Sequence, residues 1–263
     1  MSNVKSQNDF FFQYPRTPFQ TSEGALDLPI FYYDNSVLMA LFRVDYDKAQ
    51  AMVADEGLDA VRVSGGKALV GIAFYEYRET SIADYNEVGL AIAVVPKGIR
   101  APKFPMLDML KPLDKASVGY FIVDLPVTTP AACAGGREIW GYPKFVTNID
   151  FSLRGNGFDG SVTDPDTGKN LLRMSGNAGL GVPGPLLDLV LYSRLQGQML
   201  RALVNTRGGA KICLPGSMSV EVCDSEHPMA DHFRELGLNN AKPFMLFYSH
   251  ALQLRLNAGA VLP

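Results

Sequence analysis

Apolar and polar positions change rhythm several times along the chain. Residues 36–45, SVLMALFRVD, form an apolar run with Val and Phe and predict a strand. Asp45 then opens a short amphipathic segment, DYDKAQAMVADEG, which predicts a helix ending near Gly57, with Asp45 as its N-cap. Over 67–80, KALVGIAFYEYRET, Phe74, Glu76 and Arg78 alternate with Tyr75, Tyr77 and Glu79, the period of a strand. YNEVGLAIAVVP (85–96), closed by Pro96, and SVGYFIVDLPV (117–127) predict two more strands.

In the stretch that follows, Thr128 or Thr129 can cap a helix with Pro130 at its first position, and this helix should end before Gly141-Tyr142-Pro143. Residues 146–176 read as strands joined by tight turns at Gly155-Asn156-Gly157 and Asp164-Pro165-Asp166-Thr167-Gly168. GLGVPGPLLDL (179–189) reads as a loop. Strands are expected over 197–206, 218–223 and 243–255, with a short helix, HPMADHFREL, between the last two. The first 34 residues hold Pro15, Pro18, Pro29 and Gly24 among aromatics and predict a wrapping arm. Its Phe10, Phe11 and Phe12 call for burial, against this chain or another subunit. Strands outnumber helices and no βαβ alternation recurs, so the class is α+β, mostly antiparallel β. With no linker or internal repeat, residues 1–263 are read as one domain.

Composition narrows the function classes. The chain has 263 residues, 19% of them charged and 47% hydrophobic, which excludes a disordered chain. Lys and Arg number 24 against 27 Asp and Glu, a net charge of −3 with no basic stripe, which argues against nucleic acid as a partner. No apolar run approaches the roughly 20 residues of a membrane-spanning helix, and the N-terminus lacks the pattern of a signal peptide. Cys133, Cys213 and Cys223 form no CxxC and suit a reducing cytoplasm. The histidines and carboxylates show no metal-ligand spacing, so no metal is expected. Gly179–Gly184 superficially looks like a dinucleotide loop, but Pro183 and the missing βαβ frame argue against that.

The chemistry concentrates in Gly135-Gly136-Arg137-Glu138-Ile139-Trp140-Gly141-Tyr142-Pro143-Lys144-Phe145. Pro143 restricts the backbone and keeps Tyr142 extended. Lys144 stands between Pro143 and Phe145, an apolar setting that disfavours an ammonium. A free lysine is neutral about once in 2,500 molecules at pH 7, and making half of it neutral takes about 4.6 kcal/mol. Burial can supply a free energy of that size. A lysine after a proline is more commonly a solvated strand residue, so local physics alone leaves both readings open.

The segment Gly136-Arg137-Glu138 followed by Tyr142-Pro143-Lys144 resembles the active-site segment of the acetoacetate decarboxylase family, close to G-R-E-x-x-x-Y-P-K. Arg78-Glu79-Thr80-Ser81, with Tyr85 and Glu87 leading into LAIAV, resembles that family's segment around its active-site glutamate. Ser249-His250 is a weaker third match. The resemblance spans about residues 35–255. It implies a cone-shaped, closed β-barrel in a homo-oligomer, with no organic cofactor or metal. It implies Lys144 as Schiff-base nucleophile and Glu87 as the acidic residue that handles a proton. Arg137 and Glu138 would brace the site by an internal ion pair. Tyr142, Phe145, Arg78 and Tyr85 would bind substrate or brace the site, with Tyr75, Tyr77 or Tyr85 near the mouth as proton relays.

Three positions depart from the family's decarboxylases. Phe145 stands where they carry a second lysine, Asn35 about where they carry an arginine thought to meet the substrate carboxylate, and Ala73 near a second glutamate. Without the second lysine, burial rather than a neighbouring cation is expected to tune Lys144, with Arg78 or Arg43 as replacement cations for the substrate. The expected function is a Schiff-base lyase acting on a keto acid, through decarboxylation of an acetoacetate-like β-keto acid. The alternatives are an aldolase-dehydratase joining a pyruvate-like donor to an aldehyde, and a non-catalytic binding barrel.

Overall fold

The computed structural model describes residues 9–262. Seven strands carry the architecture: β1 (Ile30–Val44), β2 (Lys67–Thr80), β3 (Tyr85–Pro96), β4 (Gly119–Asp124), β5 (Leu189–Leu195), β6 (Gln198–Cys213) and β7 (Met245–Leu256). Each pairs with the next in sequence, and β7 pairs back onto β1, so the sheet closes into a barrel. An odd ring cannot alternate direction all the way round. The one parallel pair is β4–β5, with Leu191 opposite Tyr120. Parallel neighbours need a long crossover. This one runs through residues 125–188 and carries the Gly-Arg-Glu…Tyr-Pro-Lys segment.

The same crossover supplies three strands of an outer antiparallel sheet, Ile149–Arg154, Gly157–Thr163 and Asn170–Asn177, which Ser219–Val222 completes. The outer sheet covers β1, β2 and β3. Even-numbered side chains of these strands, such as Phe42, Phe74 and Leu90, pack against Phe158, Leu172 and Met174. Odd-numbered ones face the barrel interior, except that register shifts around Asp34 in β1 bring Tyr32 to the inside. Burial on both faces explains why these strands read as nearly continuous apolar runs.

Helices fill gaps in this frame. α1 (Tyr46–Val53) is capped by Asp45, whose carboxylate accepts from the Asp47 and Lys48 amides. α2 (Pro130–Gly135) starts with Thr129 as cap and Pro130 in its first turn. α3 (Pro228–Glu235) buries Met229, Ala230 and Phe233. Among the described residues no helix is long and apolar enough to cross a membrane.

Several expectations are corrected. Residues 179–189 are not a loop: Gly181–Gly184 pairs with β6, and β5 begins at Leu189. The glycines mark close approach, since a Cβ on Gly181 would sit 2.3 Å from Cys213 Sγ and one on Gly184 2.4 Å from the Ile212 side chain. The strand expected over 197–206 continues to Cys213, past a register shift near Gly209. The arm holds a hairpin, Thr17–Thr21 with Gly24–Leu28, and gives way to β1 at Ile30. Residues 1–8 of that arm lie outside the described residues. Of its three phenylalanines, Phe12 is buried against the Phe31 and Tyr33 rings, while Phe10 is 87% exposed.

Candidate active site

After α2 the chain widens into a π-helical turn, Gly136–Trp140, and stops at Gly141, whose φ is 70°. A side chain is excluded at Gly141 because its Cβ would lie 1.9 Å from the Arg194 carbonyl oxygen. The turn folds Tyr142 back, so that its amide donates to the Gly136 carbonyl at 3.0 Å. Gly136 leaves the room in which Lys144 lies, since a Cβ there would stand 2.4 Å from Lys144 Cδ. Arg137 Nη1 donates to the Lys144 carbonyl at 3.0 Å and holds the main chain from behind. The Trp140 ring stacks on Tyr142, and its Nε1 donates to the Asn257 carbonyl.

Held this way, the Lys144 side chain enters the barrel. Its Nζ donates to Glu87 Oε2 at 2.6 Å, with the two side chains only 7% and 10% exposed. Glu87 comes from an odd-numbered, inward position of β3. Tyr75 stands opposite it on β2, and Tyr77, two residues further along that strand, donates its hydroxyl to Glu87 Oε1 at 3.0 Å. The Tyr32 and Tyr85 hydroxyls meet at 3.0 Å. The Lys144 amine lies 5.6 Å from the centroid of the Tyr85 ring. Lys144, Glu87, Tyr77 and Tyr32 border a cavity of about 110 Å³, otherwise walled largely by apolar side chains. Gly71, Ala73, Gly89 and Ala91 keep the interior open on the β2–β3 side.

The tyrosines of the cavity are held protonated. Burial, and next the Glu87 carboxylate, push Tyr32, Tyr75, Tyr77 and Tyr142 above the ordinary phenol value. Tyr85 is pushed up by burial, then by Tyr32 and Glu87. They therefore serve as hydrogen-bond donors. The Tyr142 hydroxyl is buried and has no partner among the described residues, so it is free to donate to a bound molecule.

The sequence-derived residues separate into two groups. Lys144, Glu87 and Tyr142 border the cavity, and the Tyr85 ring lies beside the amine. Tyr75 and Tyr77 also line the cavity. Arg78, expected at the site, lies on the outer face of β2. It pairs with Asp34 and Glu76 at 2.7 Å and donates to the His250 carbonyl. As an even-numbered residue of that strand it cannot reach the interior. Arg43 lies over the Phe244 ring.

Phe145 turns away from the cavity, packs on the outer core and meets the His227 ring at 4.7 Å. The expected Arg137–Glu138 ion pair is replaced by two separate contacts. Glu138 accepts from the Ser22 amide and hydroxyl in the N-terminal hairpin, and Arg137 braces Lys144. The charged neighbour of Lys144 is the Glu87 carboxylate.

Ala73 lines the cavity where a second acid was sought, and buried Asn35 donates to the Leu252 carbonyl at 2.6 Å. Sequence reasoning missed Tyr32, Met39 and Tyr120. Tyr32 lay within the presumed arm, and the inward sense of the other two emerges only once the barrel is closed. Among the described residues no three His, Cys, Asp or Glu side chains gather as a metal-holding group.

Known structures share this fold. Acetoacetate decarboxylase from Legionella pneumophila superposes with a TM-score of 0.64 at 16% identity, over 97% of this chain and 94% of that one. The enduracididine biosynthesis enzyme MppR, complexed with pyruvate, gives 0.61 at 14% identity, over 95% and 92%. An acetoacetate decarboxylase-like enzyme from Sphingomonas wittichii RW1 gives 0.61 at 15%, over 90% and 94%. At such identities the likeness is one of fold. No curated protein matches in sequence. The family profile described as "Acetoacetate decarboxylase (ADC)" matches residues 13–227, a span that takes in the barrel strands from β1 through β6, Glu87 and the Lys144 segment. This chain therefore belongs to the acetoacetate decarboxylase family.

Proposed function

We propose that this protein is a Schiff-base lyase that decarboxylates a β-keto acid through Lys144. The observation that carries this reading is the buried 2.6 Å contact between Lys144 Nζ and Glu87 Oε2 inside a largely apolar cavity. Transfer of the ammonium proton to Glu87 leaves a neutral amine, which attacks the substrate ketone. Water leaves as Glu87 returns the proton, giving an iminium. The electron pair of the C–CO₂⁻ bond then flows into the iminium, CO₂ departs and an enamine remains. Protonation at carbon and hydrolysis release the ketone and restore Lys144. An apolar wall favours the step in which the localised carboxylate charge disappears.

A second reading, an aldolase-dehydratase using a pyruvate-like donor, has two supports. Asn35, buried and bonded to the Leu252 carbonyl, falls about where the family's decarboxylases carry an arginine, and a fold relative, MppR, is described in complex with the condensation product of pyruvate and imidazole 4-carboxaldehyde. In this reading the iminium of the pyruvate-like donor gives up a C3 proton to Glu87 in place of CO₂, and the enamine so formed attacks an aldehyde.

The test is borohydride reduction in the presence of acetoacetate or pyruvate, with the adduct mapped by mass spectrometry. The expected result is a reduced adduct on Lys144, and release of CO₂ from the β-keto acid without borohydride. Glu87→Gln, unable to take the lysine proton, should slow adduct formation about 10²-fold. An unmodified Lys144 with every keto acid offered overturns both readings. Condensation with an aldehyde without CO₂ release favours the second.

A further inference from the structure

A second lobe of about 60 Å³ adjoins the Lys144 cavity. The two share walls formed by Met39, Tyr75, Tyr120, Leu189 and Leu254. Beyond them the second lobe runs between Met106, Met109 and Phe247, and no charged side chain lines it. Of its polar side chains, Tyr120 donates to Met109 Sδ, and the Thr206 amide and hydroxyl donate to Asp188.

Small barrels ordinarily fill their interiors with side chains, and an unfilled apolar space costs stability. Packing does not demand the space here. A Cβ on Gly71 would meet only Leu41 Cδ2, at an ordinary 3.5 Å. An interior that packing would allow to be filled, yet stays hollow and apolar, fits a ligand of the same character.

We infer that the carbonyl compound bound by Lys144 carries an unbranched apolar chain that runs from the amine past Met39 and Tyr120 into the second lobe. The lobes, about 110 and 60 Å³, are together comparable to an engineered apolar cavity that accepts benzene. That space takes a chain of about six to eight carbons. The substrate class is then a β-keto acid with a medium-length alkyl tail, or the methyl ketone left after its decarboxylation. The inference rests on the Lys144 reading above.

The experiment traps methyl ketones from acetone to 2-decanone on the intact protein with borohydride and reads the concentration giving half-maximal adduct. Each added methylene should lower that concentration up to about fourfold, and the gain should stop near 2-octanone to 2-decanone. Met106→Trp, which fills the far lobe, should cut the preference for 2-octanone over acetone at least tenfold, measured as a ratio within the same variant. Adducts with acetone and pyruvate that do not strengthen with chain length overturn the apolar-tail inference and leave Lys144 as the nucleophile. No adduct with any ketone overturns the Lys144 reading itself. A length preference that survives Met106→Trp overturns the assignment of the tail to the second lobe.

Discussion

At Gly136 an added Cβ would stand 2.4 Å from Lys144 Cδ and 2.5 Å from Cε, in the middle of the lysine side chain rather than at its tip. Lys144 cannot swing aside freely, because its main chain is held by Arg137 and by the Tyr142 amide bond back to Gly136. Gly136→Ala should therefore displace the amine from Glu87 by about an ångström and slow adduct formation about 10²-fold. Circular dichroism should show the fold retained. Normal trapping in that variant would mean the lysine does not need its present path. The motif's residues were legible in the sequence, but the reason for each was not. Tyr142, Pro143 and Lys144 are neighbours in the chain, whereas Gly136 matters through the return of the chain over a π-helical turn, which no residue pattern announced.

Elements show how the surroundings of the site are fastened. α3 is capped by His227, whose Nδ1 accepts from the Met229 amide, and it presents Met229 and Phe233 to the core. Its outer side carries His232, whose Nδ1 lies 2.9 Å from Asp124 Oδ2 at the end of β4. The Asp124 hydrogen bond raises the imidazole above its ordinary 6.5, against a burial that lowers it. Folding thus favours protonated His232. The resulting stability is complete below about pH 6.5 and fades as pH rises through the folded value. His232→Ala should lower the melting temperature more at about pH 5.5 than at about pH 8.5. Equal losses at the two pH values would show that protonation of His232 contributes nothing to stability. α3 itself was readable as the segment HPMADHFREL. Its partner on β4, more than a hundred residues away, was not.

The whole molecule rests on two layers that share β1, β2 and β3. Phe74 is fully buried between them, its ring 5.2 Å from that of Phe158 in an edge-on contact. Phe74→Ala should cost about 3–5 kcal/mol, or ~10 °C in melting temperature, in one transition if the layers unfold together. Two separate transitions would show that barrel and outer sheet are independent. The strands over 67–80 and 85–96 are predicted to the residue from the sequence, because alternation and turn residues are local properties. So is the Asp45 cap of α1, whereas the cap of α2, Thr129, was left between Thr128 and Thr129. β5 escaped notice although it pairs with the adjacent β6 across a two-residue turn at Gln196-Gly197; only its parallel pairing with β4 is distant in sequence. Arg78 was misplaced because period two tells that 76 and 78 face opposite to 75 and 77, but not which side is the interior. Closure of the barrel decides that side. It brings Glu87 from β3 against Lys144 from the crossover, and it leaves the hollow that a ligand can fill. The sequence by itself determined the chemistry available and the local elements, since these follow from neighbouring residues. Only the tertiary structure decided which side chains meet, since those contacts join positions tens to hundreds of residues apart.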